Sequence, residues 1–292
     1  MKKKGLLITG STGFIGSNFY KKTLTNNKNI ILVKRLENSN EFEFYDSKNF
    51  KISNLDKKYD SVSLLHLATH FSIDESKKRE IYSANIEFGK NLIEKGINLN
   101  IEKIVYTNTM YSYSSDSKLR NSYYTSTKNE FSDLLSSYCS NSKIKYEEIF
   151  LDNTYGNGDR RKKILSLIIE SILNEKENPI RNPNNFINLV NVSDVSERLQ
   201  IALNENKSLK SAFIARETYN LKSIYNFLKN FHITNEANKD LLVVGRNQYL
   251  NTHPEIDHKK IKLIKVSEGL LKLFRRQKNI LWKLKSQQVY FL

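Results

Sequence analysis

The amino-acid sequence predicts an α/β protein with a Rossmann-type doubly wound parallel sheet and a smaller C-terminal α/β lobe. Short uninterrupted apolar runs alternate with longer amphipathic patterns over the first half of the chain. That alternation is typical of a parallel sheet covered by helices on both faces. A glycine-rich stretch joins the first strand to the first helix, and the alternation becomes irregular after Gly156. We therefore expect two interwoven domains, residues 1–155 and residues 156–292.

The individual elements follow from the periodicity of the apolar residues. In the first domain, strands are expected at GLLIT, IILV, SLLHLA, KIVYTN and KYEEIFL, with helices at Phe14 to Thr25, Ser76 to Gly96 and Thr125 to Tyr138. IILV is expected to run into a loop. In the second domain, we expect a helix over 160–174, a strand over 187–192 that returns to the first domain, and a helix capped by Asp194 that runs to Leu203.

Composition narrows the class of function. The formal net charge is +16, from 47 Lys and Arg against 31 Asp and Glu. The cations are spread along the whole chain without a zinc-finger or RNA-binding motif, so they favour a surface that attracts small phosphorylated ligands over a nucleic-acid interface. Cys139 is the one cysteine, which excludes an internal disulfide and a cysteine-built metal site. The five histidines are scattered, so no metal is expected.

We expect a cytoplasmic protein without a membrane span. The longest apolar run is shorter than the roughly 18 residues that a membrane-spanning helix needs, and the start, MKKKGLLITGSTG, has too short an apolar stretch for a secretory signal. The basic amphipathic stretch from Leu270 to Lys285 is expected to pack on the substrate lobe. Contact with an anionic membrane surface is left open.

The stretch ITGSTGFIG carries glycines at Gly10, Gly13 and Gly16, between a predicted strand and a predicted helix. Glycines at such a junction allow a tight turn and let backbone N–H groups approach a pyrophosphate. The context is the one that dinucleotide binding requires. The sequence therefore predicts a bound dinucleotide.

Lys34 and Arg35 follow the second apolar strand, about 20 residues beyond the glycines, where NAD-binding proteins carry an acid for the ribose hydroxyls. A carboxylate would repel a 2′-phosphate, whereas two cations bind it. The pair therefore predicts NADP(H), and a solvated basic strand end is the structural alternative.

Tyr124 and Lys128 in SYYTSTKNE are four residues apart and so share one face of the predicted helix. A nearby ammonium stabilises the phenolate of a tyrosine, whose ordinary pKa of about 10 is too high for acid–base work at neutral pH. Thr109 ends the preceding strand, and its hydroxyl is placed to bond the oxygen on which Tyr124 acts.

The order of ITGSTGFIG, LLHLATH, YSANIEFGKNLIE, IVYTNTMYSY, YYTSTK, LDNTYGNGD and LVNVSDV resembles the extended short-chain dehydrogenase/reductases, the NAD-dependent epimerase/dehydratase family. IILVKR and YGNGDRRKK resemble its nucleoside-diphosphate 4-keto-6-deoxysugar reductases, the group that contains CDP-abequose and CDP-paratose synthases. The resemblance implies deoxysugar and surface polysaccharide (O-antigen) biosynthesis, and a homodimer formed by the helices near 76–96 and 125–138. It also implies that Thr109, Tyr124 and Lys128 are catalytic, and that His66 lines the cofactor path.

The resemblance and the motifs together give the expected binding residues. For the cofactor these are Gly10, Thr12, Gly13, Phe14, Ile15, Gly16, Lys34, Arg35, Asn54, Leu55, Leu67, Ala68, Thr69, Asn85, Thr107, Tyr124 and Lys128. For the sugar nucleotide they are Thr109, Met110, Asn153, Arg161, Lys163, Asn191 and Arg246.

Departures from the family pattern help to choose the reaction. Asn108 stands where a serine often precedes the catalytic hydroxyl, Asn157 replaces a proline, and Asn54 stands where an aspartate commonly meets adenine. Met110 and Tyr111 replace the Asp-Glu pair with which 4,6-dehydratases expel water. We therefore expect an NADPH-dependent reductase of a 4-keto-6-deoxysugar nucleotide. The alternatives are a 4-epimerase that recycles bound NAD and a non-catalytic NADP(H)-sensing protein.

Overall fold

The computed structural model describes residues 3–24, 29–36, 41–72, 74–95, 100–245, 248–258 and 261–289. Two compact units are found. The first consists of Met1–Asp152, Val195–Phe213 and Tyr249–Ile261, and the second of Asn153–Asp194, Ile214–Gln248 and Lys262–Leu292. The chain therefore passes from one unit to the other several times.

The strands, in chain order, are β1 (Lys4–Thr9), β2 (Ile30–Arg35), β3 (Phe42–Asp46), β4 (Lys51–Ile52), β5 (Ser61–His66), β6 (Ile101–Thr109), β7 (Lys145–Leu151), β8 (Asn153–Tyr155), β9 (Phe186–Asn191), β10 (Leu209–Phe213), β11 (Thr218–Asn220) and β12 (Val244–Gly245). The α-helices are α1 (Phe14–Leu24), α2 (Leu55–Lys58), α3 (Lys78–Tyr82), α4 (Phe88–Lys95), α5 (Ser117–Arg120), α6 (Tyr123–Ser140), α7 (Ile164–Leu173), α8 (Val192–Asn204), α9 (Leu221–Thr234) and α10 (Val266–Val289). Among the helices described, none is long and apolar enough to cross a membrane.

The first unit is built on a sheet of order β10-β7-β6-β5-β1-β2-β3-β4. The strands from β10 to β2 are parallel, and β3 and β4 join one edge in antiparallel pairing. The order of β1, β5 and β6 on one side and β2 on the other is the doubly wound arrangement that the sequence predicts, and the predicted fold class is confirmed. Leu7, Ile31, Leu64 and Ile104 pack in its core.

Two expectations about strands are wrong. The strand near 187–192 does not return to the first sheet, because β9 pairs with β8 and β11 of the second unit. The strand that rejoins the large sheet is β10, which covers the edge of β7 with a buried Ala212 and Phe213. The expected loop after β2 contains β3 and β4, a hairpin in which Asp46 accepts N–H bonds from Lys48 and Phe50.

The second unit contains the sheet β12-β11-β9-β8 with α7, α9 and α10. Helix α7 begins at Ile164, with Lys163 as its N-cap, four residues later than the expected helix. Helix α8 begins at Val192, and Asn191 caps it by accepting the N–H of Ser193 at 2.9 Å. The expected cap, Asp194, lies inside the first turn and accepts the N–H of Ile264 at 2.9 Å instead.

Candidate functional site

The glycine-rich turn between β1 and α1 has no room for side chains at two of its glycines. Gly10 has φ of 64°, and a Cβ on it would lie 2.7 Å from the backbone nitrogen of Ala68. A Cβ on Gly16 would lie 2.1 Å from the carbonyl oxygen of Gly10. Gly13 donates its N–H to the same oxygen at 3.0 Å. The turn therefore brings bare backbone to the N-terminus of α1, the geometry that pyrophosphate binding needs.

Thr9, which the sequence analysis missed, fixes this turn to the neighbouring strand end. Its hydroxyl accepts the N–H groups of Leu67 at 3.0 Å and Ala68 at 3.1 Å, and lies 3.2 Å from Nδ1 of His66. Thr9 and His66 are register partners in β1 and β5, so only the sheet pairing reveals the contact. The cradle is built from the carboxyl ends of two adjacent parallel strands.

His66 is buried beside three aromatic rings, those of Phe88, Tyr106 and Phe131. Burial lowers the pKa of this histidine to about 3, and the nearby Lys128 ammonium acts in the same direction. The imidazole is therefore neutral at physiological pH. A neutral, packed ring fits the expectation that His66 supports the cofactor path without acting as an acid or base.

Lys34 and Arg35 end β2 beside the glycine turn, since Val33 pairs with Thr9. The guanidinium of Arg35 donates to the hydroxyl of Ser83 at 2.6 Å. The Lys34 ammonium lies 4.2 Å from the ring centroid of Tyr45 and donates to the side-chain oxygen of Asn49. Both cations are thus at the strand end where the sequence analysis expects a 2′-phosphate.

Helix α6 presents Tyr124 and Lys128 on one face, four residues apart. The adjacent Tyr123 turns elsewhere, with the Lys78 ammonium 5.4 Å from its ring centroid. The ring of Tyr124 packs edge-to-face with that of Phe71, at 4.9 Å between centroids. Helix geometry therefore separates the two adjacent tyrosines and favours Tyr124 as the partner of Lys128.

Lys128 is 3% exposed, with its ammonium 4.1 Å from the ring centroid of Tyr106. Burial lowers the pKa of Lys128 to about 7, while the carboxylate of Glu148 acts in the opposite direction. The side chain therefore changes charge near neutral pH. Such a group can stabilise a phenolate on Tyr124 and can exchange a proton with it.

Asn108 connects the predicted catalytic threonine to a buried glutamate. Its side-chain oxygen accepts the N–H of Thr109 at 2.7 Å, and its amide nitrogen donates to Glu148 at 2.7 Å. The side-chain oxygen of Asn129, on α6, accepts from the Ser112 hydroxyl at 2.8 Å and lies 3.4 Å from the Asn108 amide. Glu148 is fully buried in β7, and the glutamate pair in KYEEIFL was the signal for it that the sequence analysis did not use.

Asn85 joins the loop after β5 to α6. It lies in a π-helical segment, Ser83–Glu87, between α3 and α4. Its side-chain oxygen accepts from the Thr69 hydroxyl at 3.0 Å and the His70 N–H at 2.8 Å, and its amide donates to the Thr127 hydroxyl at 3.0 Å. A π-helical turn is common at functional sites because it redirects side chains. Here it buries Asn85, which is expected from the sequence to bind the cofactor.

The remaining residues predicted to bind cofactor lie in the first unit. They are Thr12, Phe14, Ile15, Asn54, Leu55, Leu67, Ala68, Thr69 and Thr107. Met110 also belongs to this unit and is buried at the start of a 3₁₀ turn that follows β6. Across the described ranges, no cluster of three or more His, Cys, Asp or Glu side chains is arranged to hold a metal ion.

The predicted sugar-nucleotide residues after Asp152 belong to the second unit, except Arg246, which lies outside the described residues. Asn153 and Lys163 line a small, partly open pocket of about 30 Å³. Arg161 binds Asp159 through two bonds of 2.7 Å and the Thr154 carbonyl oxygen at 2.8 Å. Among the described residues that line the pocket, Lys163 is the one that carries a positive charge. The lining comprises Asn153, Thr154, Tyr155, Asp159, Lys163, Ile164, Leu165, Ser166, Ile187, Leu189, Leu273 and Gln277.

Comparisons with known proteins agree with this architecture. CDP-abequose synthase of Salmonella typhimurium is 21% identical over 187 residues, which are 61% of this chain and 62% of that protein. The match thus spans less than two thirds of the relative's length.

Solved structures show the same fold at low identity. UDP-glucose 4-epimerase from Thermotoga maritima, solved with UDP-glucose, has a TM-score of 0.71 and 18% identity, and the match covers 95% of this chain and 99% of that one. UDP-N-acetylglucosamine 4-epimerase from Methanobrevibacter ruminantium, solved with UDP-N-acetylmuramic acid, has a TM-score of 0.70 and 16% identity, covering 94% and 98%. The model of the family described as "NAD dependent epimerase/dehydratase family" matches residues 6–221. That match spans well over half of this chain. The chain therefore belongs to the NAD dependent epimerase/dehydratase family.

Proposed function

We propose that this protein is an NADPH-dependent reductase that reduces the 4-keto group of a nucleoside-diphosphate-4-keto-6-deoxysugar. The observation that carries the proposal is the cation pair Lys34 and Arg35 at the carboxyl end of β2, next to the glycine turn. Cations at this position favour a 2′-phosphate, and NADPH is the cofactor that cells use as a consumable reductant. An enzyme that consumes its reductant needs a substrate that is already oxidised.

The residues of the first unit fit this cofactor. The turn at Gly10 and Gly16, which a Cβ would fill, would hold the pyrophosphate, and Lys34 with Arg35 would hold the 2′-phosphate. When bound, the reduced nicotinamide supplies a hydride for C4 of the sugar. The buried Lys128 would hold the nicotinamide ribose.

The side chains of the site divide the remaining work. Tyr124 gives a proton to the C4 oxygen as the carbonyl becomes a hydroxyl, and Thr109 holds that oxygen by a hydrogen bond. The Lys128 ammonium stabilises the phenolate that Tyr124 leaves behind and can restore its proton. Ketosugar, reduced cofactor and one proton give the alcohol and oxidised cofactor, so the reaction is balanced.

The identity of the substrate rests on chemistry that the site lacks. Met110 and Tyr111 follow Thr109, where 4,6-dehydratases carry an acid and a base, so this chain cannot be expected to make its own ketone. A dehydratase must supply it. The similarity to CDP-abequose synthase supports the same class of substrate, and Lys163 in the pocket of the second unit is a candidate contact for the pyrophosphate of that substrate.

We also propose a homodimer through the helices near 76–96 and 125–138.

The test couples the protein to 4,6-dehydratases that generate the CDP-, dTDP-, UDP- and GDP-linked 4-keto-6-deoxysugars. NADPH oxidation should match ketosugar loss one to one for one nucleotide series. The control supplies the NDP-hexoses without dehydratase. They carry no 4-keto group, so the NADPH concentration should stay unchanged.

A different outcome would replace the proposal by the epimerase alternative. If every ketosugar leaves NADPH unchanged while an NDP-hexose is interconverted with its C4 epimer, the protein recycles its cofactor. Thr109, Tyr124 and Lys128 would serve that reaction too, so the discriminating feature is the fate of NADPH.

A further inference from the structure

Helix α10 divides into a packed half and an exposed half. Leu270, Leu271, Leu273 and Phe274 are buried in the core of the second unit. From 275 to 283, every side chain is exposed or only half-buried. The helix therefore continues for several turns beyond the surface that its first half covers.

The exposed half keeps the apolar face of the packed half. Leu281 follows Phe274 by seven residues, two helical turns, and so lies on the same face. Ile280 and Trp282 flank it and are 49% and 70% exposed. A large aromatic and a large aliphatic side chain thus lie in solvent on one helix.

The same helix is strongly basic. It carries six cations, Lys272, Arg275, Arg276, Lys278, Lys283 and Lys285, and one acid, Glu268, which lies in the first turn. From 275 to 289 the sequence of the helix contains cations and no Asp or Glu. A surface that binds this segment has to provide negative charge and an apolar layer together.

We propose that the exposed half of α10 docks on an anionic membrane surface, with Trp282 and Ile280 entering the headgroup layer. Lipid headgroups supply the negative charge, and tryptophan is favoured at the boundary between headgroups and acyl chains. The same helix of a second copy would bring like charges together. A nucleic acid would satisfy the cations and leave Ile280 in water.

Trp282 is the single tryptophan of the chain, so the intrinsic fluorescence of the full protein reports on this helix directly. Titration with vesicles that contain phosphatidylglycerol should shift the emission to shorter wavelength and protect it from acrylamide. Vesicles of phosphatidylcholine alone should produce neither effect, and high salt should reverse the binding.

Charge variants test the contact by vesicle co-sedimentation. The double variant Arg276→Gln with Lys278→Gln should weaken binding about 30-fold, because each cation near an anionic surface raises the affinity about five- to sixfold. The matched control, Lys57→Gln with Lys58→Gln, removes two exposed cations from α2 of the first unit and should leave binding unchanged. Trp282→Ala should weaken binding while the protein stays folded.

Three results would overturn the inference. The first is an emission spectrum that anionic vesicles do not change. The second is an equal loss of binding in the control pair, which would make the effect one of net charge. The third is a fluorescence shift with RNA or heparin but no co-sedimentation with vesicles, which would identify a polyanion site. None of these depends on the reductase proposal.

Discussion

At the scale of single residues, we predict that Lys34 and Arg35 determine the choice between the two nicotinamide dinucleotides. Replacing both with alanine should weaken NADPH binding at least about 100-fold, because two charge-assisted hydrogen bonds are lost. NADH affinity should change little and serves as the internal control in calorimetric titrations. Equal affinity for the two cofactors in the unmodified protein would contradict the assignment.

Tyr124 is the predicted proton donor. Tyr124→Phe keeps the ring that packs on Phe71 and removes only the hydroxyl, so folding and NADPH binding should survive. Turnover in the coupled assay should fall about 10²- to 10⁴-fold, the usual contribution of a general acid. The matched control is Tyr123→Phe, which should keep its activity. A loss below tenfold for Tyr124→Phe would remove it from the mechanism.

Glu148 is predicted to set the pH range of activity through Lys128. The carboxylate raises the pKa of Lys128 against the effect of burial, so Glu148→Gln should lower that pKa further. Lys128 would then lose its proton at lower pH, and the basic limb of the kcat profile should move down by about one pH unit.

Glu130→Gln is the control for this prediction, because Glu130 lies two residues from Lys128 on α6 and its side chain is exposed. It should leave the pH profile unchanged. An unshifted profile in Glu148→Gln would mean that this glutamate only supports Asn108.

At the scale of elements, the π-helical segment holds the loop after β5 against α6 through one side chain. Asn85→Ala removes the bonds of a buried side chain to Thr69, His70 and Thr127. The free energy of unfolding should fall by about 2–3 kcal/mol, and the KM for NADPH should rise. Guanidinium denaturation and initial rates measure the two effects. Unchanged values for both would show that the segment has no supporting role.

The elements that the sequence predicts best are those with local patterns. The strands β1, β5, β6 and β7 and the helix that carries Tyr124 follow from apolar periodicity and the glycine turn. The hairpin of β3 and β4 was missed, although EFEFYD alternates charged and aromatic residues, because an edge strand buries little and its pairing to β2 is not a local feature.

The parts of the site that the sequence did not predict depend on pairing between distant residues. Asn108 departs from the family pattern, and its role appears only when β7 places Glu148 beside it. The same holds for Thr9, whose partners come from the end of β5. Residue type and spacing select Tyr124 and Lys128 as candidates, whereas the contacts of Asn108 and Thr9 are set by the register of the sheet.

At the scale of the molecule, a buried charge network connects the three chain segments of the first unit. Glu147 binds Arg198 at 2.7 Å and Lys103 at 3.1 Å, and Arg198 binds Asp257 at 3.3 Å. Lys103 and Glu147 come from the first segment, Arg198 from the second and Asp257 from the third.

Glu147→Gln should destabilise the protein by about 3–5 kcal/mol, because it leaves two buried cations with reduced compensation. Urea denaturation measures the loss. Glu102→Gln, which removes a surface partner of Lys4, is the control and should cost less than about 1 kcal/mol. A similar small effect for both variants would mean that the network does not hold the segments together.

The discontinuity of the first unit has a consequence for its synthesis on the ribosome. β7 is made long before β10, which pairs with it, and the segment Tyr249–Ile261 that supplies Asp257 comes later still. During this interval the nascent chain carries an unpaired strand edge, which invites pairing with other chains. A fragment that stops at residue 155 can never pair the edge of β7 with β10, so we expect it to aggregate. In the nascent full-length chain, we expect this edge to need protection from other chains until residue 261 has left the exit tunnel.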